Sequence, residues 1–451
     1  MRVLLISYLF PPIGGMSPLR LSKFVCHLAR SANLERVDVV TVKPTSAHPV
    51  YWIDREAADT WPDVVKVWRT YPGPGWAFGK ALLAADQSTG KVGRAADPEA
   101  QMGKVRIDVH RRLQLAIRKA RYGAYRGLLK PLAVPDTRVD WLPWALHRGR
   151  RLLRETKYDI VWSFGFPFTS HLVGYALSYV GRIPWVVEYG DPWTFGPEAD
   201  SAPRWRRVVD RHLESALLRR ATRVVTCTEE ARIGFLDTYP EIQPMVVRTV
   251  PHGYDPEEYL GTQRVESDRF RIVHTGTFYR GIREPHTFFR ALRELPRDQF
   301  EVSLIGNVGP EYRPYVQNLG LHDHVRFLGP LPHREIAQHQ KDASVLLSLG
   351  WSGGYQIPAK VYEYVGACRP ILNVQFDNRD PTANLLTSLS RGVSVENTEV
   401  ALRAYLRWLF GLWRSRELDA KFDLRPLDSM TWEASAERMA DLLREAAELG
   451  A

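Results

Sequence analysis

Lys360 and Glu363 lie three residues apart in segment 350–372, which also contains two adjacent glycines and Pro358. This spacing places both side chains on one face of a helix, and proline favours the first helical turn. The amides at such a helix start, together with the Lys360 ammonium, can hold a diphosphate, and Glu363 can accept hydrogen bonds from two neighbouring ribose hydroxyls. A surface salt bridge between the two side chains is the alternative interpretation.

A second candidate is the loop of residues 7–17, in which Gly14 and Gly15 precede an amphipathic stretch. Glycines before a helix let backbone N–H groups approach an anion at the positive end of the helix. The pattern is not G-x-G-x-x-G, so it is no dinucleotide fingerprint. A tight turn is the alternative interpretation of this loop.

Asp191 follows the apolar stretch 185–189 and is expected at the carboxyl end of a strand. A carboxylate there can orient a hydroxyl acceptor or accept its proton. Capping of a turn together with Pro192 is the alternative.

The elements that must position these residues are short apolar strands alternating with amphipathic helices. Strands are predicted at residues 3–7 and 37–42, with a helix at 19–30 between them. This succession is typical of a parallel sheet with helices on both faces. Further strands are predicted at 160–163, 185–189, 224–227 and 246–250, and, after a polar linker at 261–269, at 270–276, 302–305, 325–327, 345–348 and 371–374.

The restart of the pattern predicts an α/β protein with two Rossmann-like, doubly wound lobes facing a cleft. Ligands of such sheets bind outside the carboxyl ends of the strands, where the candidate residues are expected. We predict an N-terminal domain at 1–260 and a C-terminal domain at 270–428. Residues 73–103 are predicted to be a mobile insertion, and residues 432–449 have the apolar spacing of one helix face.

The formal net charge of +10 over 451 residues is concentrated in one segment. Residues 104–154, the basic segment, carry 14 lysines and arginines against three aspartates, so the rest of the chain is close to neutral. Such an excess indicates an anionic partner: nucleic acid, a membrane surface or a phosphorylated substrate. Apolar residues at helical spacing between 109 and 120 are typical of an interfacial helix, and a solvated basic face over a core stripe is the alternative.

The three cysteines, Cys26, Cys227 and Cys368, lie far apart, which argues against a disulfide framework and against a clustered zinc site. The chain contains no Asp-x-Asp, and we predict no metal site and no cofactor. No apolar run reaches the ~20 residues of a membrane-spanning helix, and the N-terminal residues lack the pattern of a signal peptide. We expect a cytoplasmic protein that meets a membrane only from its surface.

Several segments resemble those of retaining glycosyltransferases of the GT-B fold, family 4. Residues 357–364 (IPAKVYEY) with 369–372 (RPIL) resemble the family's donor-site helix. Residues 10–15 (FPPIGG) with Arg20 resemble its acceptor-side loop, and 251–255 (PHGYD) resembles its interdomain Pro-Asn-Gly-x-Asp. Similar matches occur at 184–193, 217–228 and 274–277, and together they cover most of the chain in the family's order.

The resemblance implies a nucleotide-diphosphate sugar bound mainly by the C-terminal lobe, and sugar transfer to a hydroxyl acceptor with retention of anomeric configuration. It implies that Glu363 binds ribose, that Gly15 approaches the diphosphate or the sugar, and that a C-terminal helix at 429–451 packs on the first lobe. The donor-binding residues that we expect are Gly14, Gly15, Gly276, Thr277, Arg280, Gly354, Tyr355, Ile357 and Glu363. On the acceptor side it points to Arg20 and His171, although a single histidine is also often structural.

The chain departs from the family's pattern at two donor positions. Tyr355 stands where the first of two glutamates eight positions apart is usual, which leaves the identity of the sugar open. Thr277 stands where an arginine is usual, so Arg280 and Arg283 are candidates to neutralise the diphosphate.

Breaking a sugar–phosphate bond develops negative charge on the leaving diphosphate. We therefore expect Arg283, Lys360 and the amides near Gly354 to stabilise the leaving group without a metal. With Asp191 on the acceptor side, Arg283 and Lys360 are the predicted catalytic residues.

Three classes of function stay open on sequence alone. The first is a glycosyltransferase whose basic segment faces an anionic membrane or a lipid-linked acceptor. The second is a nucleic-acid-binding protein, but the segment contains no recognisable binding module, and we do not expect this partner. The third is an enzyme of the same architecture with other chemistry, such as a nucleotide-sugar epimerase or a phosphorylase.

Overall fold

The computed structural model describes residues 1–31, 34–44, 53, 61–74, 133–278, 283–309, 311–351 and 353–450. They form two compact units. The first consists of Met1–Val225, Glu241–Arg248 and Ala440–Ala451, and the second of Thr226–Pro240 and Thr249–Met439. The predicted insertion at 73–103 lies outside the described residues except for its first two, as does the basic segment up to residue 132.

The first sheet has seven strands in the order β3-β2-β1-β4-β5-β6-β7. The strands are β1 Arg2–Ser7, β2 Arg36–Val42, β3 Val65–Thr70, β4 Ile160–Gly165, β5 Trp185–Tyr189, β6 Arg223–Thr226 and β7 Val247–Thr249. Val3 of β1 pairs in parallel register with Val37 of β2 and Ile160 of β4. All side chains of β1 from Val3 to Ser7 are buried, as expected for a central strand covered on both faces.

Six helices of the described residues lie between β1 and β8 along the chain. They are α1 Met16–Ser31, α2 Leu142–Glu155, α3 Thr169–Gly181, α4 Pro197–Asp200, α5 Arg204–Leu218 and α6 Glu229–Thr238. The N-terminus of α6 is capped by the Thr228 hydroxyl, which accepts a hydrogen bond from the Ala231 amide at 3.1 Å.

The second sheet has six strands, all parallel, in the order β10-β9-β8-β11-β12-β13. The strands are β8 Phe270–Thr275, β9 Phe300–Ile305, β10 Val325–Gly329, β11 Val345–Leu349, β12 Ile371–Gln375 and β13 Gly392–Glu396. The remaining helices are α7 His286–Ala291, α8 Tyr312–Asn318, α9 His333–Asp342, α10 Lys360–Gly366, α11 Pro381–Leu389, α12 Glu399–Arg414 and α13 Trp432–Leu449. Short 3-10 turns lie at Val139–Trp141, Pro256–Tyr259, Leu292–Glu294, Arg297–Gln299 and Asp428–Met430.

The strand order of each sheet reverses beside its first strand, between β1 and β4 and between β8 and β11. At such a point the loops that follow the two central strands diverge and leave a crevice, which is the usual ligand position of doubly wound sheets. The loops after β1 and β8 carry the candidate glycines, so both glycine loops lie at the expected edge.

The predicted α/β class with two doubly wound parallel sheets is confirmed. Two edge strands, β3 and β13, were not predicted, because each side of β3 is only partly buried and β13 is half-exposed. Helix α1 begins at Met16, three residues before the predicted start, and α10 begins at Lys360, just after Pro358. The predicted domain ranges stay predictions. None of the helices in the described part of the chain combines the length and the apolarity that crossing a membrane requires.

Candidate functional site

The Lys360 ammonium lies against the turn that follows β8. Gly276 in this turn has φ +117°, and a Cβ atom added to it would lie 2.6 Å from Lys360 Nζ. The Gly276 amide donates a hydrogen bond to Ile305 O at 2.8 Å, which fixes the turn against the end of β9. The positive φ therefore favours glycine at position 276, and a side chain there would displace the Lys360 ammonium.

His274, two residues earlier in β8, is fully buried and contacts the same ammonium. Its Nδ1 lies 2.9 Å from Leu347 O, and its Nε2 lies 3.4 Å from Lys360 Nζ. Because a carbonyl oxygen only accepts, Nδ1 carries the proton, and Nε2 presents its lone pair to Lys360. Burial, followed by the charges of Lys360 and Arg283, holds the pKa of His274 well below its usual value, so the ring is neutral.

Lys360 is a cation without a carboxylate partner in the described residues, where no acidic oxygen lies within ion-pair distance of Nζ. Removal from water lowers the pKa of Lys360 well below its usual value, the Arg283 guanidinium lowers it further, and Glu363 opposes both. An anion bound at this point would raise the pKa of Lys360 and so oppose the two lowering effects. The turn after β8 is therefore built to receive negative charge.

Arg283 enters the site from the segment between β8 and α7, and only 6% of its side chain is exposed. Its Nη1 donates to Leu349 O, at the end of β11, at 3.2 Å, and the guanidinium lies 4.8 Å from the centre of the Trp351 ring. The predicted pair Arg283 and Lys360 thus meets where β8 and β11 end. Arg280, the other arginine candidate, lies outside the described residues.

Glu363 is half-buried one turn into α10 and does not pair with Lys360, so the surface salt bridge considered from sequence does not form. Its Oε2 accepts a hydrogen bond from Gln340 Nε2 at 3.4 Å, and Gln340 Oε1 accepts one from the Tyr259 hydroxyl at 2.6 Å. Burial raises the pKa of Glu363, and Glu258 raises it further. Gln340 and Tyr259 hold the carboxylate in place, and sequence reasoning missed both.

The glycine pair after β11 forms a second turn at the same edge. Gly353 and Gly354 have φ +124° and +72°, and a Cβ atom at Gly354 would lie 2.9 Å from Arg379 Cβ. The Gly353 amide donates to Asp377 Oδ2 at 3.2 Å, and Asp377 Oδ1 accepts from the Arg379 amide at 2.9 Å. One of the amides predicted near Gly354 is thus already satisfied by a side chain that follows β12.

The remaining donor candidates lie beside these turns. Thr277 is half-buried next to Gly276, and Ile357 packs against the apolar cluster beneath α10. The carbonyl oxygen of Tyr355 accepts a hydrogen bond from the Thr228 hydroxyl, so the loop is tied down at the position where the family has its first glutamate.

The first unit places its candidates at the carboxyl ends of β1 and β5. Gly15, with φ +125°, directly precedes α1, and Gly14 before it is buried. Asp191 is exposed in the loop after β5. Arg20 is fully buried, and its Nε donates to Glu188 Oε1 at 2.7 Å, which is the geometry of a structural ion pair. Its role toward an acceptor stays a prediction.

His171 is fully buried near the start of α3, with Nδ1 2.9 Å from the Ser163 Oγ. Burial alone lowers the pKa of His171 to about 3, so the ring is neutral in the folded protein. It can position neighbouring groups, but it is a weak base at neutral pH. Its predicted acceptor role is likewise untested by this geometry.

The described residues contain no group of three or more His, Cys, Asp or Glu side chains that could hold a metal ion. At the carboxyl edge of the second sheet, Lys360 and Arg283 can stabilise negative charge. His274 and Asp377 support the two turns. The only sequence signal for this role is their position near the ends of the predicted strands 270–276 and 371–374.

Residues 109–258 match the family model described as Glycosyltransferase Family 4. The chain is similar in structure to sucrose-phosphate synthase from Thermosynechococcus elongatus, with 16% identity, coverage of 98% of each chain and a TM-score of 0.67. It is also similar to Anabaena Alr3699/HepE in complex with UDP and glucose, with 13% identity, coverage of 99% of this chain and 100% of that one, and a TM-score of 0.60.

A third similar structure is that of WaaG, a glycosyltransferase involved in lipopolysaccharide biosynthesis, with 15% identity, coverage of 100% and 99%, and a TM-score of 0.53. At these identities the structural likeness establishes the fold. No curated protein sequence matches the chain significantly.

Proposed function

We propose that this protein, a GT-B-fold glycosyltransferase of the family 4 type, transfers a sugar from a nucleoside-diphosphate sugar to a hydroxyl acceptor. The observation that carries the proposal is the position of the Lys360 ammonium against the Gly276 turn, beside Arg283 and one turn from Glu363. Two cations suit a diphosphate, and a buried carboxylate suits the paired hydroxyls of a ribose.

In the reaction, the bond between the anomeric carbon and the diphosphate oxygen breaks, and its electron pair moves to the leaving diphosphate. Lys360 and Arg283 stabilise this charge as it develops, which lowers the barrier without a protein nucleophile. The acceptor oxygen then bonds to the anomeric carbon and passes its proton to the leaving diphosphate, with Asp191 orienting the hydroxyl. We propose that the anomeric configuration is retained and that no metal takes part.

The anionic donor fits a site in which burial and the Arg283 guanidinium lower the pKa of Lys360. A bound diphosphate places negative charge beside Lys360 and raises its pKa. Diphosphate binding and protonation of Lys360 therefore favour each other. HepE was crystallised with UDP and glucose, which makes UDP-sugars the first donors to test.

For the acceptor, we propose a hydroxyl on a lipid-linked molecule at the cytoplasmic face of a membrane, in polysaccharide or glycolipid biosynthesis. Two facts support this proposal: the +11 charge of the basic segment 104–154, and the likeness to WaaG, an enzyme of lipopolysaccharide biosynthesis. Loss of salt-sensitive vesicle binding on charge reversal at Arg111, Arg112, Arg118 and Lys119 tests the role of this segment.

The function is tested by incubating the full chain with a panel of UDP-, GDP- and TDP-sugars and following the nucleotide released and the sugar product. Transfer or slow donor hydrolysis, lost in Lys360→Ala and kept in the exposed control Lys421→Ala, supports the proposal. An epimerised donor would instead indicate the epimerase alternative. Product NMR reports the anomeric configuration, and unchanged turnover in EDTA reports independence from metal.

A further inference from the structure

Helix α5, Arg204–Leu218, shows an inverted pattern of burial in its N-terminal half. Arg206 and Asp210 are 8% and 7% exposed, whereas Trp205, Val208 and Val209 are 47%, 56% and 42% exposed. Folding ordinarily buries tryptophan and valine and leaves charged residues in water. The outer face of this helix, defined as Arg204, Trp205, Arg207, Val208, Val209 and Arg211, therefore lacks the environment that its apolar residues favour.

The inner face is held by polar contacts in place of an apolar stripe. Arg206 Nε donates to Asp210 Oδ2 at 2.6 Å, and its Nη1 donates to Ala133 O at 2.8 Å. Glu214, one turn further, is fully buried and accepts a hydrogen bond from the Thr194 hydroxyl. These contacts fix the rotation of the helix, so its apolar side chains cannot turn inward.

The same contacts decide the charge of the outer face. Asp210 and Glu214 are the only carboxylates of α5, and both point inward. The outer face is left with arginines around an apolar stripe, Trp205 with Val208 and Val209, at helical spacing of three and four residues. The nearest acidic partner on its N-terminal half is the exposed Asp200, whose Oδ1 lies 3.7 Å from Arg207 Nη1.

We propose that the outer face of α5 binds an anionic lipid surface, with Trp205 and the two valines at the interface and the arginines on the phosphate headgroups. Tryptophan favours the membrane interface, and an apolar stripe flanked by arginines is the pattern of a helix that lies in that plane. A symmetric contact with a second copy would oppose arginine to arginine, and a nucleic acid would leave the apolar stripe without a partner. The inference extends the proposed membrane contact to a described helix, and it does not depend on sugar transfer.

The inner face of α5 contacts the loop after β5. Thr194, bonded to Glu214, lies in the loop after β5 that carries Asp191, and Trp193 in that loop hydrogen-bonds Asp210. The loop that carries Asp191 therefore packs on the inner face of α5, opposite to the face proposed for the lipid.

The test is co-sedimentation of the full chain with vesicles of phosphatidylcholine, with or without phosphatidylglycerol, at low and at high salt. We expect binding only with phosphatidylglycerol, weakened by salt. Trp205→Ser with Val208→Ser, and separately Arg204→Glu with Arg207→Glu, should each weaken binding about tenfold or more. Matched controls in the second unit are Trp408→Ser with Val400→Ser and Arg297→Glu with Arg334→Glu, which alter residues that are also exposed.

Equal binding by wild-type and α5 variants would overturn the inference, as would an equal loss in the controls or equal binding to vesicles of phosphatidylcholine alone. If the α5 variants instead convert a dimer to a monomer in the ultracentrifuge without vesicles, the face is an interface between copies, and the lipid assignment is wrong. Loss of binding only on charge reversal at Arg111, Arg112, Arg118 and Lys119 would assign the lipid contact to the basic segment and not to α5. Donor hydrolysis should be unchanged in the α5 variants, so this result is separable from the proposed function.

Discussion

The Nε2 atom of His274 lies 3.4 Å from the Nζ atom of Lys360, and His274 is held neutral by burial and by that same ammonium. The neighbour of Lys360 is thus a hydrogen-bond acceptor without charge. This arrangement orients the ammonium and leaves its charge for a ligand.

Replacing Lys360 with alanine should lower the rate of donor cleavage by roughly 10²- to 10³-fold, because a cation that stabilises the leaving diphosphate is removed. The measurement is steady-state release of the nucleotide from the donor that the panel identifies. Lys421→Ala, an exposed lysine of the same unit, is the control and should keep the wild-type rate. A Lys360→Ala rate within about twofold of wild type would exclude its role in catalysis.

Replacing Gly276 with alanine should weaken UDP binding by about tenfold or more. The new Cβ atom would lie 2.6 Å from Lys360 Nζ, and the residue has a positive φ, so either the turn or the ammonium must move. Gly261→Ala is a matched control, since Gly261 also has a positive φ, +76°, but nothing lies within 4 Å of its added Cβ atom. Calorimetric titration of UDP into both variants separates backbone strain from damage to the site. Equal UDP affinities of the two variants would contradict a diphosphate site at the Gly276 turn.

Binding of UDP should be accompanied by uptake of up to one proton in alkaline buffer. Burial and Arg283 lower the pKa of Lys360 in the empty site, and the bound diphosphate raises it, so affinity should fall as pH rises. Above pH ~8 the terminal phosphate is already ionised and does not contribute. Calorimetry in buffers of different ionisation enthalpy measures the uptake, which should vanish in Lys360→Arg because arginine keeps its proton. Uptake that persists in this variant would assign it to another group.

Replacing Glu363 with glutamine should weaken binding of UDP but not of inorganic pyrophosphate, because the carboxylate serves the ribose and not the diphosphate. The amide lacks the second strong acceptor that paired hydroxyls need, so a loss of about tenfold in UDP affinity is expected. The exposed Glu257→Gln is the control. Equal weakening of both ligands would show that Glu363 acts through the fold of α10.

The stability of the protein should fall as pH drops from about 6.5 to about 3, in part because of His171. The unfolded chain binds a proton on His171 near pH 6.5, whereas the folded chain does so only near the folded pKa of about 3. The unfolded state therefore binds more protons in this window, which is worth roughly 5 kcal/mol at the acid end.

His171→Asn, which keeps a hydrogen-bonding atom for Ser163, should make the urea midpoint less sensitive to pH across this window. The exposed His147→Asn should leave the wild-type dependence unchanged. A His171→Asn profile parallel to the wild-type profile would contradict a neutral buried His171.

Sequence periodicity predicted most strands of both sheets because strands buried on both faces are largely apolar runs, as in β1. It missed β3 and β13, whose half-exposed residues lack that signal. The placement of Lys360 and Glu363 on one helical face also followed from spacing alone. Their supports did not: His274 and Gln340 reach the site from β8 and α9, and only the folded chain brings these elements together.

Counting charges along the sequence did not reveal the basic outer face of α5. The count over the chain pointed to residues 104–154 and treated the rest as neutral. It could not detect the outer face of α5, because Asp210 and Glu214 offset two of the four arginines of this helix in sequence and are turned inward in the structure. Likewise, the buried pair of Arg20 with Glu188 joins residues 168 positions apart, and no local pattern reveals it.

The proposed function depends on binding of the diphosphate of a nucleotide sugar between the Lys360 ammonium and the turn at Gly276. Its most direct test is calorimetric titration of UDP into the wild-type chain, Lys360→Met and Lys421→Met at neutral pH. We expect saturable binding by the wild type and by Lys421→Met, and binding weakened at least about tenfold in Lys360→Met. Equal affinity of Lys360→Met and the wild type would contradict it.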